Sequence, residues 1–264
     1  MTSIPTVPLR APGGPVPIPL IGFGTWQSEG DDAYTSVRTA LDVGYRHIDT
    51  ATMYRNEEQV GRALADSGVA REDIFVTTKL PPDLVGRERE TLEASLRMLG
   101  TDYVDLWLIH WPPNKTASPA TWERFIEAQA AGQVRAIGVS NYSVAQIDEL
   151  TEATGITPAI NQIPWSPADY DASLVEALSS REVVVEGYSP FKRTNLEDPA
   201  LVEIAQRHGV DPTQVVLRWH LQRSFVAIPK SVTPARIERN FDVLGFELSE
   251  DELTRLEAMA PQRR

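Results

Sequence analysis

The chain has 264 residues, no cysteine, a formal net charge of −12 and an isoelectric point of about 4.8. The lack of cysteine excludes disulfides, thiolate metal sites and cysteine nucleophiles, and the acidic balance argues against nucleic acid as a partner. The N-terminal residues lack the basic and apolar regions of a signal peptide, and no apolar run approaches the roughly 18 residues of a membrane span. We therefore expect a cytoplasmic protein that binds no membrane and builds its core without metals or disulfides.

The first predicted element is a short β-hairpin, in which Val7–Arg10 and Val16–Pro19 flank a turn rich in glycine and proline. Short apolar runs and amphipathic stretches then alternate. The runs predict eight strands: Leu20–Gly24, Tyr45–Asp49, Ile74–Thr78, Val104–His110, Val134–Val139, Ala159–Ile163, Val183–Tyr188 and Phe225–Pro229. The amphipathic stretches predict ten helices: Asp32–Val43, Glu57–Asp66, Arg87–Leu99, Pro119–Ala130, Val144–Ala153, Asp171–Ser179, Ala200–His208, Pro212–Gln222, Pro234–Val243 and Glu250–Ala260.

Eight strands that alternate with helices over about 250 residues predict a (β/α)8 TIM barrel. The barrel would be a single domain, residues 1–264, with an N-terminal hairpin and extra C-terminal helices. Capping boxes at Asp211 and Ser249 and an N-cap at Thr233 mark helix starts. The alternative is an open doubly wound sheet, which needs a glycine-rich turn after the first strand. Gln27 stands where that turn requires its third glycine or alanine, so the barrel is favoured.

Four polar residues lie at or after the ends of predicted strands, where barrel enzymes carry their chemistry. They are Asp49, Tyr54, Lys79 and His110. Reduction of a carbonyl needs a hydride on carbon and a proton on oxygen, and a tyrosine whose pKa is lowered by a nearby ammonium can supply that proton. Each residue taken alone could be structural, for example a packed aromatic or a buried imidazole. Their joint placement on three adjacent strand ends favours a catalytic role.

These residues lie in motifs that resemble the aldo-keto reductase family, in particular its short prokaryotic members similar to 2,5-diketo-gluconate reductases. The motifs run in family order: Gly44–Ala51 with Tyr54 and Asn56–Glu58, then Thr77–Leu80, Asp105–Pro112, Ile137–Asn141 and Ile228–Pro234. The resemblance implies a catalytic tetrad of Asp49, Tyr54, Lys79 and His110, with Tyr54 as the proton donor. It also implies the reduction of aldehydes or ketones with NADPH, α-dicarbonyl compounds among them.

The resemblance further implies where NADPH binds. Ser140, Asn141 and Gln162 match the positions that hold the nicotinamide carboxamide, and Tyr188 matches the aromatic that stacks on the ring. A phosphate site is expected at the predicted helix start after the last strand, because helix N-termini favour anions and Lys230 and Arg236 add charge. The full predicted cofactor set is Thr25, Asp49, Ser140, Asn141, Gln162, Tyr188, Ser189, Lys230, Ser231, Val232, Thr233, Arg236 and Asn240. NADPH is favoured over NADH, because a 2′-phosphate would use this cluster fully. Arg239 stands where the family usually has an acidic residue, so the strictness of that preference stays open.

Predicted substrate contacts are Trp26, Trp111, Trp165 and Phe191, which indicate flat or apolar substrates. The family's glutamate and histidine after Gln162 are replaced within Pro164–Pro167. Because the segment Phe191–Asp198 and the C-terminal end are short, we expect an open pocket with broad specificity. The resemblance also implies a monomer.

Two other functions remain open. One is an NADPH-binding sensor or regulatory subunit with slow turnover. The other is a metal-dependent hydrolase, which the spacing of His47, His110, His208 and His220 does not favour.

Overall fold

The structure is a computed structural model that describes residues 4–261. Strands β1 (Thr6–Leu9) and β2 (Val16–Pro19) form the predicted antiparallel hairpin, with the first strand starting one residue earlier than expected. Its turn is closed by the amide of Gly14, which donates to the carbonyl of Ala11 at 3.1 Å. Gly14 has φ +105°, a conformation that favours glycine. The hairpin leads directly into the first barrel strand and therefore lies at the end where the strands begin.

Eight parallel strands form the main sheet, and each pairs with the next along the chain. They are β3 (Phe23–Gly24), β4 (His47–Asp49), β5 (Phe75–Leu80), β6 (Val104–Ile109), β7 (Val134–Ser140), β8 (Ile160–Pro164), β9 (Val184–Tyr188) and β10 (Val226–Ile228). The first and last strands meet through a bridge between Ile21 and Ala227. At this seam the amide of Gly24 donates to Pro229 O at 3.1 Å, and a Cβ at Gly24 would lie 2.9 Å from Ile228 O. The predicted TIM barrel is confirmed.

Ten α-helices surround the sheet within the described residues. They are α1 (Gly30–Val43), α2 (Glu57–Asp66), α3 (Glu88–Leu99), α4 (Pro119–Ala130), α5 (Val144–Thr154), α6 (Ala172–Ser179), α7 (Pro199–His208), α8 (Pro212–Gln222), α9 (Pro234–Phe241) and α10 (Glu250–Glu257). Helix α10 is three residues shorter than predicted, because Ala258 already caps it. None of the helices between residues 4 and 261 is both long and apolar enough to cross a membrane.

Capping explains several helix starts. The capping boxes predicted at Asp211 and Ser249 are both formed. Thr233 is the N-cap residue of α9 as predicted, but its side chain makes no capping bond. Instead, the hydroxyl of Ser231 accepts a hydrogen bond from the Thr233 amide at 3.0 Å.

The register of the strands determines which side chains meet inside the barrel. Asp49 pairs with Thr77, Ser140 with Gln162, and Gln162 with Glu186. Inward-facing residues on neighbouring strands therefore lie side by side at one level of the barrel. Asp49, Ser140, Gln162 and Glu186 are all buried.

Candidate active site

A cavity of about 700 Å³ opens at the ends of the strands where the chemistry was predicted. Three tetrad residues line it: Asp49, Tyr54 and His110. The predicted ligand-binding residues that also line it are Trp26, Trp111, Ser140, Asn141, Gln162, Tyr188, Ser189, Phe191 and Lys230. Most of the predicted site thus converges on one space.

Lys79 lies directly behind the cavity wall and connects the tetrad. Its ammonium donates to Asp49 Oδ1 at 2.6 Å, to the carbonyl of Thr50 at 2.8 Å and to the hydroxyl of Tyr54 at 3.4 Å. Tyr54 lies in a short 3-10 turn, Thr52–Tyr54, that follows β4, and its ring packs edge-on against His110 with centroids 5.7 Å apart. The four predicted residues are therefore brought together.

Burial decides the charge states in this cluster. Burial, followed by the charge of Lys79, lowers the pKa of His110 to about 3, so its imidazole is neutral near pH 7. Burial also lowers the pKa of Lys79, but Asp49 and Tyr54 more than offset this, and the net pKa of Lys79 lies above its ordinary value. Lys79 is therefore an ammonium and His110 an uncharged hydrogen-bonding group.

The pKa of Tyr54 differs from the expectation. Burial raises it, and the opposing influence of Lys79 at 3.4 Å does not bring it below the ordinary value. The lowering predicted from the ammonium alone was therefore wrong in net direction, because desolvation of the phenol outweighs it. Tyr54 accordingly keeps its proton near pH 7.

The residues expected to hold a carboxamide form one hydrogen-bonded group. Asn141 donates to the Ser140 hydroxyl at 2.9 Å and to the carbonyl of His110 at 3.2 Å, and it accepts from the Tyr188 hydroxyl at 2.8 Å. Asn141 and Ser189 both have left-handed φ values, 64° and 53°. Non-glycine residues in this conformation are uncommon and occur preferentially at functional sites. The polar groups thus combine amide donors and acceptors beside an aromatic ring, a set that fits a nicotinamide.

The predicted phosphate residues follow the cavity at the start of α9. Lys230 lines the cavity, and its ammonium donates to the carbonyl of Gln27 at 2.9 Å. Arg239 is held by Asp211, Nη1 to Oδ2 at 3.0 Å. Five predicted residues are not part of the cavity lining and lie on the segment that leads into α9 or within it: Ser231, Val232, Thr233, Arg236 and Asn240. Thr25 is fully buried and supports the site from behind, donating to the carbonyl of Asp49 at 3.0 Å.

Trp165 does not reach the cavity, which corrects its prediction as a substrate contact. Its side chain is 1% exposed and packs edge-on against Phe225 with ring centroids 5.5 Å apart. The backbone of Trp165 also lies against α8, where its carbonyl is 3.3 Å from His220 Nε2. The tryptophan therefore belongs to the layer between barrel and helices.

Other residues of the site were missed. Met53, Gln27, Pro164, Lys192 and Arg193 also line the cavity. Glu186 lies behind Gln162, fully buried. Its position two residues before Tyr188 on a predicted strand, and hence on the same face, was a usable indication.

Between residues 4 and 261, no group of three or more histidine, aspartate or glutamate side chains is arranged to hold a metal ion.

Residues 20–261 match the model of the Aldo/keto reductase family. An aldo-keto reductase of Mycolicibacterium smegmatis is 43% identical, over 94% of this chain and 91% of its own length. The glycerol 2-dehydrogenase (NADP(+)) of Saccharomyces cerevisiae is 41% identical over 93% and 88%, and the methylglyoxal reductase DkgA of Escherichia coli is 42% identical over 89% and 87%.

Solved structures of aldo/keto reductases have the same fold as this chain. An aldo/keto reductase from Brucella melitensis superimposes with a TM-score of 0.92 at 43% identity, covering 97% of this chain and 100% of that one. An aldo-keto reductase of Bombyx mori, solved in complex with NADP, gives 0.90 at 34% identity over 100% and 95%. This chain belongs to the aldo/keto reductase family. The family and reaction class predicted from the motifs are confirmed.

Proposed function

We propose that this aldo/keto reductase reduces small α-dicarbonyl compounds with NADPH, and that Tyr54 donates the proton. The observation that carries the proposal is the contact between the Tyr54 hydroxyl and the buried Lys79 ammonium, at 3.4 Å, beside a neutral His110 at the cavity wall. His110 is a neutral imidazole near pH 7 and not an imidazolium acid, so Tyr54 is the acid available to a carbonyl oxygen in the cavity.

NADPH is the cofactor. The Bombyx mori neighbour was solved with NADP, and the yeast relative is named for NADP(+). In this chain, Ser140, Asn141 and Gln162 would hold the carboxamide, and Tyr188 would cover the ring. Lys230 with the segment leading into α9 would bind phosphate. When bound, the reduced nicotinamide supplies the hydride that the carbonyl carbon receives.

The residues of the tetrad then divide the remaining work. His110 donates a hydrogen bond that orients the carbonyl oxygen, and Tyr54 transfers its proton to that oxygen as the hydride arrives. The phenolate left on Tyr54 is stabilised by the ammonium of Lys79, which Asp49 keeps in place at 2.6 Å. Because Lys79 is already positioned and dehydrated, it needs no rearrangement to stabilise this charge.

The rim of the cavity favours small, partly apolar substrates. Trp26, Met53 and Trp111 line it, and their exposed fractions are 48%, 48% and 45%, unusual for such large apolar side chains. The relative DkgA is named a methylglyoxal reductase, and methylglyoxal is a small α-dicarbonyl compound. These two observations support 2-oxoaldehydes as the substrate class.

The test is the consumption of NADPH with methylglyoxal, other α-dicarbonyls and simple aldehydes, comparing the wild type with Tyr54→Phe. Loss of the acid is expected to lower kcat by about 10²- to 10⁴-fold while NADPH still binds, as followed by fluorescence. Tyr34→Phe is the matched control, because Tyr34 bonds to Asp66 near the surface and should leave kcat unchanged. Equal activity of Tyr54→Phe and wild type would refute the assignment of the acid. Tight NADPH binding without turnover of any carbonyl would instead favour the sensor function.

We further propose that the chain acts as one domain, as a monomer, in the cytoplasm. The family match over residues 20–261 supports the single domain. Light scattering on the purified protein is expected to give a mass near 29.3 kDa, and a value twice as large would contradict the monomer.

A further inference from the structure

A second carboxyl group lies beneath the tetrad. Glu186 on β9 is 0% exposed and pairs in register with Gln162 on β8. The amide nitrogen of Gln162 donates to Glu186 Oε2 at 3.0 Å and to Asp49 Oδ2 at 2.8 Å. A primary amide has two N–H groups, and here both point at carboxyl oxygens. The side-chain amide of Gln162 is therefore held in one orientation. Its Oε1 atom remains available to accept a hydrogen bond from a ligand in the cavity that Gln162 lines.

The cation beside the two carboxyl groups contacts only one of them. Lys79 Nζ lies 2.6 Å from Asp49 Oδ1, whereas the nearest basic group to Glu186 is His47 Nε2, at 3.7 Å from Oε1. Burial lowers the pKa of His47 to about 3, so this histidine is neutral. Glu186 Oε1 is buried and has no hydrogen-bond partner among the described residues. An ionised carboxylate in that position would be uncompensated, which is costly.

The titratable groups that face Glu186 are Asp49 and His47 of β4, Lys79 of β5 and the phenol of Tyr54. Two carboxyl groups this close in a dry interior do not both ionise near neutral pH. Burial raises the pKa of Asp49 as well, and Lys79 at 2.6 Å opposes this rise. Because only Asp49 is in contact with the ammonium, we assign the negative charge to Asp49. Burial and then the charge of Asp49 raise the pKa of Glu186 to about 8, so Glu186 is protonated at pH 7.

We propose that Glu186 is a positioning residue of this reductase, which in its uncharged form fixes the Gln162 amide and leaves Asp49 as the single negative charge beside Lys79. The proposal rests on the function proposed above, in which Gln162 faces the nicotinamide and Tyr54 is the acid. Ionisation of Glu186 would place a second negative charge in the barrel, and this charge raises the pKa of Tyr54 and weakens it as an acid. Activity is therefore expected to fall as Glu186 loses its proton.

The first test observes the proton directly and needs no turnover. Infrared difference spectra of the purified protein between about pH 6 and about pH 10 should show the loss of a protonated carboxyl band. Glu186→Gln should lack this band. Glu57→Gln is the matched control: Glu57 is buried, burial raises its pKa, and it accepts from Thr78 and Ser95 outside the barrel. A band that persists in Glu186→Gln, or disappears only in Glu57→Gln, overturns the proposal.

The second test uses pH profiles of kcat with methylglyoxal and of NADPH binding. In the wild type, kcat should fall roughly tenfold between about pH 7 and about pH 9, following the neutral fraction of Glu186. Glu186→Gln keeps an uncharged partner for Gln162, so it should retain wild-type kcat at pH 7 and lose this fall. Glu186→Ala should lower kcat and weaken NADPH binding at every pH, and Glu57→Gln should keep the wild-type profile.

An identical alkaline fall in the wild type and Glu186→Gln would overturn the proposal. So would unchanged NADPH affinity and kcat in Glu186→Ala. If the wild type does not turn over any carbonyl, the proposed function fails, while the infrared band and the NADPH affinity of Glu186→Ala still decide the role of Glu186.

Discussion

Two buried aspartates, Asp49 and Asp105, meet cations at opposite ends of the barrel strands. Asp105 lies near the start of β6 and accepts from Arg71 at 2.9 Å, from Arg135 at 2.8 Å and from the amide of Val76 at 2.9 Å. Asp49 ends β4 and accepts from Lys79 and Gln162. Both carboxylates are compensated, but only the cation of Asp49 also contacts a proton donor at a cavity wall, Tyr54. A buried ion pair therefore indicates function only where one of its members also contacts a reactive group that lines a cavity.

The largest effect is expected at Lys79. Lys79→Met removes the cation that pairs with Asp49 and leaves a buried carboxylate without a counter-charge, so we expect a loss of about 3–5 kcal/mol in the free energy of unfolding. It also removes the charge that stabilises the Tyr54 phenolate, and kcat should fall by at least about 10²-fold. Urea denaturation and NADPH consumption measure the two effects.

Arg135→Met is the counterpart at the other end. The Arg135 side chain is 44% exposed, and Arg71 still pairs with Asp105, so the variant should lose only about 1 kcal/mol or less and keep wild-type kcat. A large loss of kcat in Arg135→Met would contradict the distinction between the two ends.

Two tryptophans provide a second contrast. Trp165→Ala empties a site between barrel and helices and should cost about 3–5 kcal/mol of stability. Trp111→Ala removes a half-exposed side chain from the cavity rim, so stability should change by less than about 1 kcal/mol while KM for methylglyoxal rises. Thermal denaturation and steady-state kinetics separate the two. A rise in KM for Trp165→Ala alone would restore it as a substrate contact.

The last prediction concerns stability in acid. Burial lowers the pKa of His47 and His110 to about 3 and that of His220 to about 4. Each is neutral in the folded chain, so its stabilising contribution is complete above the unfolded pKa of about 6.5 and is lost as pH falls toward the folded pKa. Stability should decrease by about 1.4 kcal/mol per pH unit for each histidine below about pH 6.5. Glu186 works in the opposite direction, because its raised pKa costs stability as pH rises from about 4.5 to about 8.

His220→Gln tests the acid prediction, because His220 bonds to Val216 O and lies outside the tetrad. Urea denaturation at several pH values gives the free energy of unfolding as a function of pH. Below about pH 6.5, its slope should be smaller in His220→Gln than in the wild type by about 1.4 kcal/mol per pH unit, the contribution of one histidine. The same slope in wild type and variant would contradict a neutral His220.

The tetrad could be predicted from the sequence because its members stand at strand ends, and in a barrel these ends share one rim. The same rule failed for Trp165. It follows Pro164 at the end of β8, and which side of the strand its ring faces depends on register, which motif order does not reveal. Glu186 escaped for a related reason: its partner Gln162 is 24 residues away, and their pairing exists only once β8 and β9 lie side by side.

The predicted lowering of the Tyr54 pKa was wrong for a physical reason. The sequence shows that a lysine is near, but the cost of desolvating the phenol depends on how deeply the folded chain encloses it. Burial of this kind is a property of the assembled barrel, and local composition does not report it.

The barrel is closed at the seam between β3 and β10. Only a single bridge and a few backbone hydrogen bonds join the two strands, such as Gly22 N to Ala227 O at 2.9 Å, whereas β5 and β6 pair over four residues. Lys230 on one side of this seam already reaches Gln27 on the other, and both line the cavity. A molecule bound there touches both edges at once and ties the beginning of the barrel to its end. A ligand bound in the cavity should therefore make local opening of the seam less frequent. The backbone amide protons of the seam should then exchange with solvent more slowly in the ligand-bound protein than in the free protein.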